Sequence, residues 1–277
     1  MIDIKELYFT YSKKTPLFID LSLQVKAGSI TGLLGTNGAG KTTFLKLLSG
    51  LLNAPKGSIS IDGNVPFDRS IHLLQQTYFL PEVYHLPAVK IGEYINAYSG
   101  FYPNFNVDKF GSILQQFKLS ERDDISELSH GSQKKFLVSF ALATQCRLLL
   151  LDEPTNGLDI PSKVLFRKIL AGSIDEDQLV LISTHQVKDI ENLIDHVLIL
   201  QDGNVVFQED MASISSQLHF GYSRELEPES ILYAEESPAG QKIISKQMNN
   251  NTSEIDIEVL FNAVANGKKL MKDHANN

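Results

Sequence analysis

With 277 residues, the chain is long enough for one large domain or for a core carrying an appendage, and its 43% hydrophobic and 21% charged content is ordinary for a soluble globular protein. The formal net charge of −8 argues against non-specific nucleic-acid binding, which needs a basic surface, and against adhesion to anionic lipid through a basic patch. The one cysteine, Cys146, excludes an internal disulfide and a multi-thiolate zinc site; within "CRLLLLDE" it reads as a buried bystander rather than a redox group.

The opening "MIDIKELYFTY" is acidic and strand-like, without the positive end and apolar core of a signal peptide. No apolar run approaches the roughly 20 residues of a membrane span, so the expectation is a cytosolic protein that meets a membrane only through a partner. Alternation and β-branched content predict strands in "IDIKELYFTY", "LSLQV" and "SISID". "SITGLLG" runs straight into a glycine loop, and "KTTFLKLLSGLL" has helical apolar spacing. From about Lys90 to Gln145 the texture turns helical, in "KIGEYINAYSGFY", "VDKFGSILQQFKL" and "SQKKFLVSFALATQ". Strand–helix alternation then returns with "RLLLLDE", the helix "PSKVLFRKILAGS", "QLVLIST", the helix "VKDIENLID" and "HVLILQDGNVVFQ". A helical block between two βα regions suggests an insertion into a parallel sheet with helices on its faces. The tail holds two candidate strands ("ESILYAEES", "QKIISKQM"), a polar "NNNTSE" turn and a last helix, "IDIEVLFNAVANGKKLM".

Two stretches carry the chemistry. "GTNGAGKT" fits Gly-x-x-x-x-Gly-Lys-Thr, the Walker A pattern, between an apolar strand and an apolar-periodic helix. Its glycines let backbone N–H groups turn inward around phosphate oxygens, and the next helix adds its positive end. Gly35, Thr36, Asn37, Gly38, Ala39, Gly40, Lys41, Thr42 and Thr43 are therefore the expected nucleotide-binding residues, Lys41 reaching the β- and γ-phosphates and the Thr42 hydroxyl binding Mg²⁺. "LLLLDEP" places Asp152 and Glu153 at the end of a run suited to a buried central strand, where α/β sheets bind ligands. Asp152 would hold Mg²⁺ and Glu153 would orient and polarise the attacking water; the alternative is a pair of solvated turn acids.

A third stretch, "LSHGSQKK", is a second small-residue turn opening a helix, from Ser132, whose positive end suits an anion. The order "GTNGAGKTT", "LSHGSQKK", "LLLLDEP", "TNGLD", "STH" resembles the nucleotide-binding subunit of ATP-binding cassette (ABC) transporters over about residues 1–210. The resemblance implies an α/β fold: a P-loop NTPase (RecA-like) core with an antiparallel β subdomain and an inserted helical subdomain at about 85–145, together spanning 1–212, plus a small C-terminal α+β appendage at 213–277. It implies ATP and Mg²⁺ as cofactors and hydrolysis coupled to transport. It also implies a head-to-tail homodimer, or a pairing with a related cassette subunit, in which Ser129 and Gly131 cap the γ-phosphate seated on the other chain. His130 and Ser132 depart from the commoner Leu-Ser-Gly-Gly-Gln; His130 reads as a rim residue, a catalytic role being the alternative.

The remaining positions follow by the same resemblance. His185 matches the switch histidine at the γ-phosphate, and Asp159 matches the loop coupling the two sites, with helix capping as a compatible role. Tyr11 matches the aromatic that stacks on adenine, though strand aromatics are more often core. Glu82 stands where the family usually has glutamine; it would reach the metal directly or through water, or be a mere turn residue after Pro81. Glu82 and the acidic-apolar last helix point toward the multidrug and antibiotic-type exporter branch. The expected assembly is peripheral on the cytoplasmic membrane face, held by a separate transmembrane permease, with no direct insertion and no nucleic acid. The rival is a soluble ABC-type ATPase of translation or DNA maintenance, against which a single cassette without a long heptad segment speaks. A silent regulatory cassette is disfavoured by intact Lys41, Asp152, Glu153 and His185.

Overall fold

Apolar runs with no visible alternation in the sequence form the middle of the main sheet, where both faces of a strand are covered. The computed structural model describes residues 1–12, 15–223, 230–247 and 253–271. In chain order its elements are β1 (Ile2–Phe9), β2 (Phe18–Val25), β3 (Ser29–Leu34), α1 (Lys41–Leu48), β4 (Lys56–Ile61), α2 (Ile71–Gln76), β5 (Thr77–Leu80), α3 (Ile91–Tyr98), α4 (Val107–Gln116) and α5 (His130–Ala143). They continue as β6 (Leu148–Asp152), α6 (Ile160–Ala171), β7 (Leu179–Thr184), β8 (His196–Gln201), β9 (Asn204–Asp210), α7 (Met211–Gln217), β10 (Leu218–Tyr222), β11 (Ile231–Ser237), β12 (Gly240–Lys246) and α8 (Ile257–Ala265).

The main sheet runs β5-β6-β7-β3-β8-β9, parallel except for β9, which pairs antiparallel with β8. Every residue of β3, β6 and β7 is buried. Their side chains divide with the two-residue period of a strand. Leu148, Leu150 and Leu181 join one core with α1 and the β2-β1-β4 sheet, whereas Leu149, Leu151 and Ile182 join the other with α5 and α6. The β2-β1-β4 sheet is antiparallel, and β1 and β2 mix buried with exposed positions as a sheet solvated on one face should.

The helical insertion is α3–α5. Phe136, Phe140, Phe110, Tyr94 and Tyr102 meet edge-on, and Phe105 tilts against Phe140, at centroid distances of 5.1–6.4 Å between α5 and its neighbours. α5 starts at His130, two residues before the expected Ser132, because Ser129 caps it by accepting from Ser132 N at 3.2 Å. "VKDIENLID" forms one turn of 3₁₀ helix, Val187–Asp189, rather than the expected α-helix. Ile190, Leu193 and Ile194 are all buried and Asp189 is held by Thr155 and Lys163, so the segment folds into tight turns against the core.

Beyond β9, α7 leads into a three-stranded antiparallel sheet, β10-β12-β11, and α8 closes the fold. Neither α7 nor β10 was expected, since "ASISSQLHFGY" has no clear period. Residues 249–252 of the "NNNTSE" turn lie outside the described residues. Leu260, Ala263 and Val264 of α8 share one apolar cluster with Ile190 and Val197 of the main core, and the expected boundary at 212 falls inside α7. Among the described residues no helix is long and apolar enough to cross a membrane.

Candidate active site

β3, β6 and β7 run parallel, with Asp152 opposite Ser183 and Leu34 opposite Thr184, so their C-terminal ends meet at one sheet edge. The loop Gly35–Gly40 leaves β3 there and enters α1. Gly40 takes φ +105° at the helix start, and a Cβ at that point would lie 2.9 Å from the Phe18 ring, so the turn admits only glycine. No side chain caps α1, which leaves its positive end open to the cleft formed by Asn37, Gly38, Gly40, Lys41, Thr42 and Thr43. Lys41 is buried, and Nζ donates to Gly35 O at 2.7 Å and Thr36 O at 3.1 Å. Burial lowers its pKa from the ordinary lysine value, opposed by the carboxylates of Glu153, Asp152 and Glu82.

The acidic pair divides as its surroundings dictate. Asp152 is fully buried; its Oδ2 accepts from Thr42 Oγ1 at 2.8 Å and its Oδ1 from Ser183 Oγ. Glu153 sits in the left-handed region at φ +48°, and its N–H donates to Ser183 O at 3.1 Å. Its carboxylate turns back toward β7: Oε1 accepts from His185 N at 3.0 Å and pairs with His185 Nδ1 at 2.7 Å, while Oε2 accepts from Thr184 Oγ1 at 3.3 Å. His185 Nε2 lies 3.3 Å from Gln186 Nε2. Glu82 also faces the cleft, its Oε1 accepting from Asn156 Nδ2 at 3.2 Å.

Tyr11 is 65% exposed and stands at the cleft mouth, edge-on to Phe9 at 5.0 Å, its hydroxyl 3.0 Å from Thr43 Oγ1. It is therefore available to stack on a planar ligand rather than spent in the core. The cleft measures about 520 Å³. An uncapped helix start with a buried ammonium suits a polyphosphate, and the Thr42 hydroxyl bonded to the Asp152 carboxylate is the oxygen donor set a hard divalent cation takes.

Tyr11, Asn37, Gly38, Gly40 to Thr43, Glu82, Asp152, Glu153 and His185 thus line one cleft, Gly35 and Thr36 join it through their carbonyls on Lys41, and Ala39, in the same loop, is buried and does not line it. Ser129, Gly131 and Asp159 are not: none lines this cleft. Gly131 packs so near the turn after β6 that a Cβ would lie 2.7 Å from Gly157 O. Ser129 Oγ donates to Ser132 Oγ at 3.0 Å as well as capping α5. Asp159 caps α6, Oδ1 accepting from Ser162 N at 2.8 Å, and hydrogen bonding from the Ser162 hydroxyl and then its N–H lowers the Asp159 pKa.

Several partners escape a reading of the sequence. Lys163 Nζ bonds Gln186 Oε1 at 2.9 Å and Asp189 Oδ2 at 2.7 Å, and Asp189 also accepts from Thr155 Oγ1 at 2.9 Å. With Gln186 beside His185, this chain links the β7 end to α6. Ser183 could have been found, since a hydroxyl two residues before His185 shares its strand edge; Lys163 and Asp189 carry no local signal.

The sequence profile described as ABC transporter matches residues 18–156. The SkfA peptide export ATP-binding protein SkfE of Bacillus subtilis (strain 168) is 32% identical over 192 residues, covering 67% of this chain and 80% of that protein. The Nod factor export ATP-binding protein I of Burkholderia orbicola (strain AU 1054) is 32% identical over 211 residues, 74% of this chain and 69% of that one. Among solved structures, the ATP-binding subunit of an ABC transporter superposes with TM-score 0.68 at 24% identity, covering 77% of this chain and 91% of the other. A bacterial Atm1-family ABC exporter with ATP bound gives 0.66 at 21% identity, over 77% of this chain and 39% of that one.

Proposed function

The chain belongs to the ABC transporter family, and from that premise we propose that it is the ATP-hydrolysing subunit of an exporter, acting as a head-to-tail dimer beneath a separate permease. Gly35 to Thr43 grip the phosphates, with Lys41 on the β- and γ-phosphates and Tyr11 against the adenine. Thr42 and Asp152, with Glu82 in reach, would hold Mg²⁺, which would supply charge neutralisation at the phosphates. Glu153 orients the attacking water and takes its proton as oxygen bonds to the γ-phosphorus, while the bond to the bridging oxygen breaks and ADP leaves. His185 holds Glu153 by two hydrogen bonds and stands at the terminal phosphate. The observation that carries this reading is Glu153 itself: buried, left-handed and fixed to His185, in one cleft with Lys41 and Asp152.

The dimer reading rests on Ser129, which caps α5, and Gly131 in its first turn, at a helix start that lies outside the chain's own cleft. Asp159 lies just beyond Gly157, the neighbour of Gly131, and would meet the same partner. Mixing a Ser129→Arg chain with a Lys41→Ala chain tests this. Each parent has both composite sites ruined, whereas the mixed dimer keeps one intact, so ATPase activity should reappear on mixing; no gain over the two parents would exclude independent composite sites.

An apolar groove between α2, β5 and the end of α3 supports permease docking, with Ile71 75%, Phe101 64% and Leu51 51% exposed beside it. Export, in the multidrug and antibiotic-type branch, is favoured by Glu82, by the acidic-apolar α8, and by two similar proteins whose names state export.

A further inference from the structure

Lys134 lies in the second turn of α5 and is 1% exposed, yet it forms no ion pair among the described residues. Its Nζ donates to the Glu82 carbonyl at 3.5 Å and stands 4.9 Å from the centre of the Tyr84 ring. A buried ammonium without a hydrogen-bonded counter-ion is costly, so its surroundings must compensate it. Burial lowers the Lys134 pKa from the ordinary lysine value, and the carboxylates of Glu82, Asp152 and Glu153 oppose that shift, as they do for Lys41. Both lysines are buried, but Lys41 lines the cleft and Lys134 does not; Lys134 reaches the Glu82 backbone from α5.

The segment after β5 is tied to α5 by a second contact. The Tyr84 ring stacks on His130 at 5.5 Å and an interplanar angle of 5°, with its hydroxyl 3.2 Å from His130 Nδ1. The Glu82 side chain is bonded in turn to Asn156, in the loop after β6.

We propose that Lys134 is a positioning residue for hydrolysis, a buried positive charge that offsets Glu82 and holds the Glu82–Tyr84 segment against α5. This rests on reading the cleft as an ATP site. Removing Lys134 leaves Glu82 uncompensated, facing the phosphates; removing both charges restores the balance. The test is a cycle of Lys134→Gln, Glu82→Gln and the double variant, each measured for binding of a fluorescent ATP analogue in EDTA and for kcat and KM with Mg²⁺. Metal-free affinity should fall about tenfold in Lys134→Gln, rise in Glu82→Gln, and return to within about threefold of wild type in the double variant. A double variant as weak as Lys134→Gln would make the lysine's role purely structural and overturn the proposal, as would wild-type affinity in Lys134→Gln. Should Lys134→Gln fail to fold, the double variant decides: folded with near-wild-type affinity supports the charge pairing, and unfolded overturns it. A wild-type chain that bound no ATP analogue would instead overturn the reading of the cleft.

Discussion

Glu153 takes a backbone conformation that costs a non-glycine residue about 1–3 kcal/mol and persists only where its neighbours over-determine it. Here the end of β7 does so, through Ser183 on the Glu153 N–H and through Thr184 and His185 on the carboxylate. Glu153→Gln keeps the shape and loses the base. Turnover should fall about 10²–10⁴-fold, with ATP binding retained and an ATP-bound dimer accumulating on size exclusion. Wild-type turnover in that variant would remove Glu153 from the chemistry. "LLLLDE" announces where Glu153 emerges, because an all-apolar run must be an inner strand. It says nothing of the left-handed turn or of the pairing with His185, which need β6 and β7 to be neighbours. Likewise the exposure of Tyr11 depends on where Phe9 and Phe18 pack, and no alternation pattern shows that.

At the scale of elements, α5 illustrates how a cap and a proposed function share one residue. The Ser129 hydroxyl accepts from Ser132 N, a cap whose loss to alanine costs about 0.5–2 kcal/mol. Aspartate caps equally well but carries a negative charge at the same point. Ser129→Ala should therefore melt below wild type, whereas Ser129→Asp should melt near it and still lose ATP hydrolysis, because its carboxylate repels the phosphate it ought to cap. A Ser129→Asp chain with full ATPase activity would count against the capping role. Helical periodicity in "SQKKFLVSFALATQ" finds the body of this helix and misses its start, since His130 and Gly131 are weak helix formers. Contact with Gly157 admits Gly131 where any Cβ would collide. For "VKDIENLID" periodicity misleads, because Asp189 bonds across to Thr155 and Lys163 and the chain turns instead.

Over the whole molecule, two cores meet through one sheet, and the C-terminal region adds to the larger of them rather than standing apart. The helical insertion leaves a groove of about 630 Å³ along its border with the main sheet, and no residue that lines it lines the cleft of Lys41 and Glu153. A pair of substitutions, Ile71→Glu with Phe101→Glu, should leave ATP binding intact and abolish co-purification with the proposed permease. Retained co-purification would move the permease contact elsewhere. Both residues are exposed already, so the melting temperature should shift little.

The proposed phosphate site was legible in the sequence because its residues are contiguous, the loop Gly35–Gly40 running straight into α1, and a buried strand declares itself by having no polar face. The order of those motifs was enough for the α/β class and the inserted helices. The tertiary structure alone decided which carboxylate meets which partner, that Ser129 and Gly131 lie outside the cleft holding Lys41, and that Lys134 is buried beneath Glu82. Those facts depend on contacts between residues dozens of positions apart, brought together by strand order and helix packing, and no local pattern encodes them.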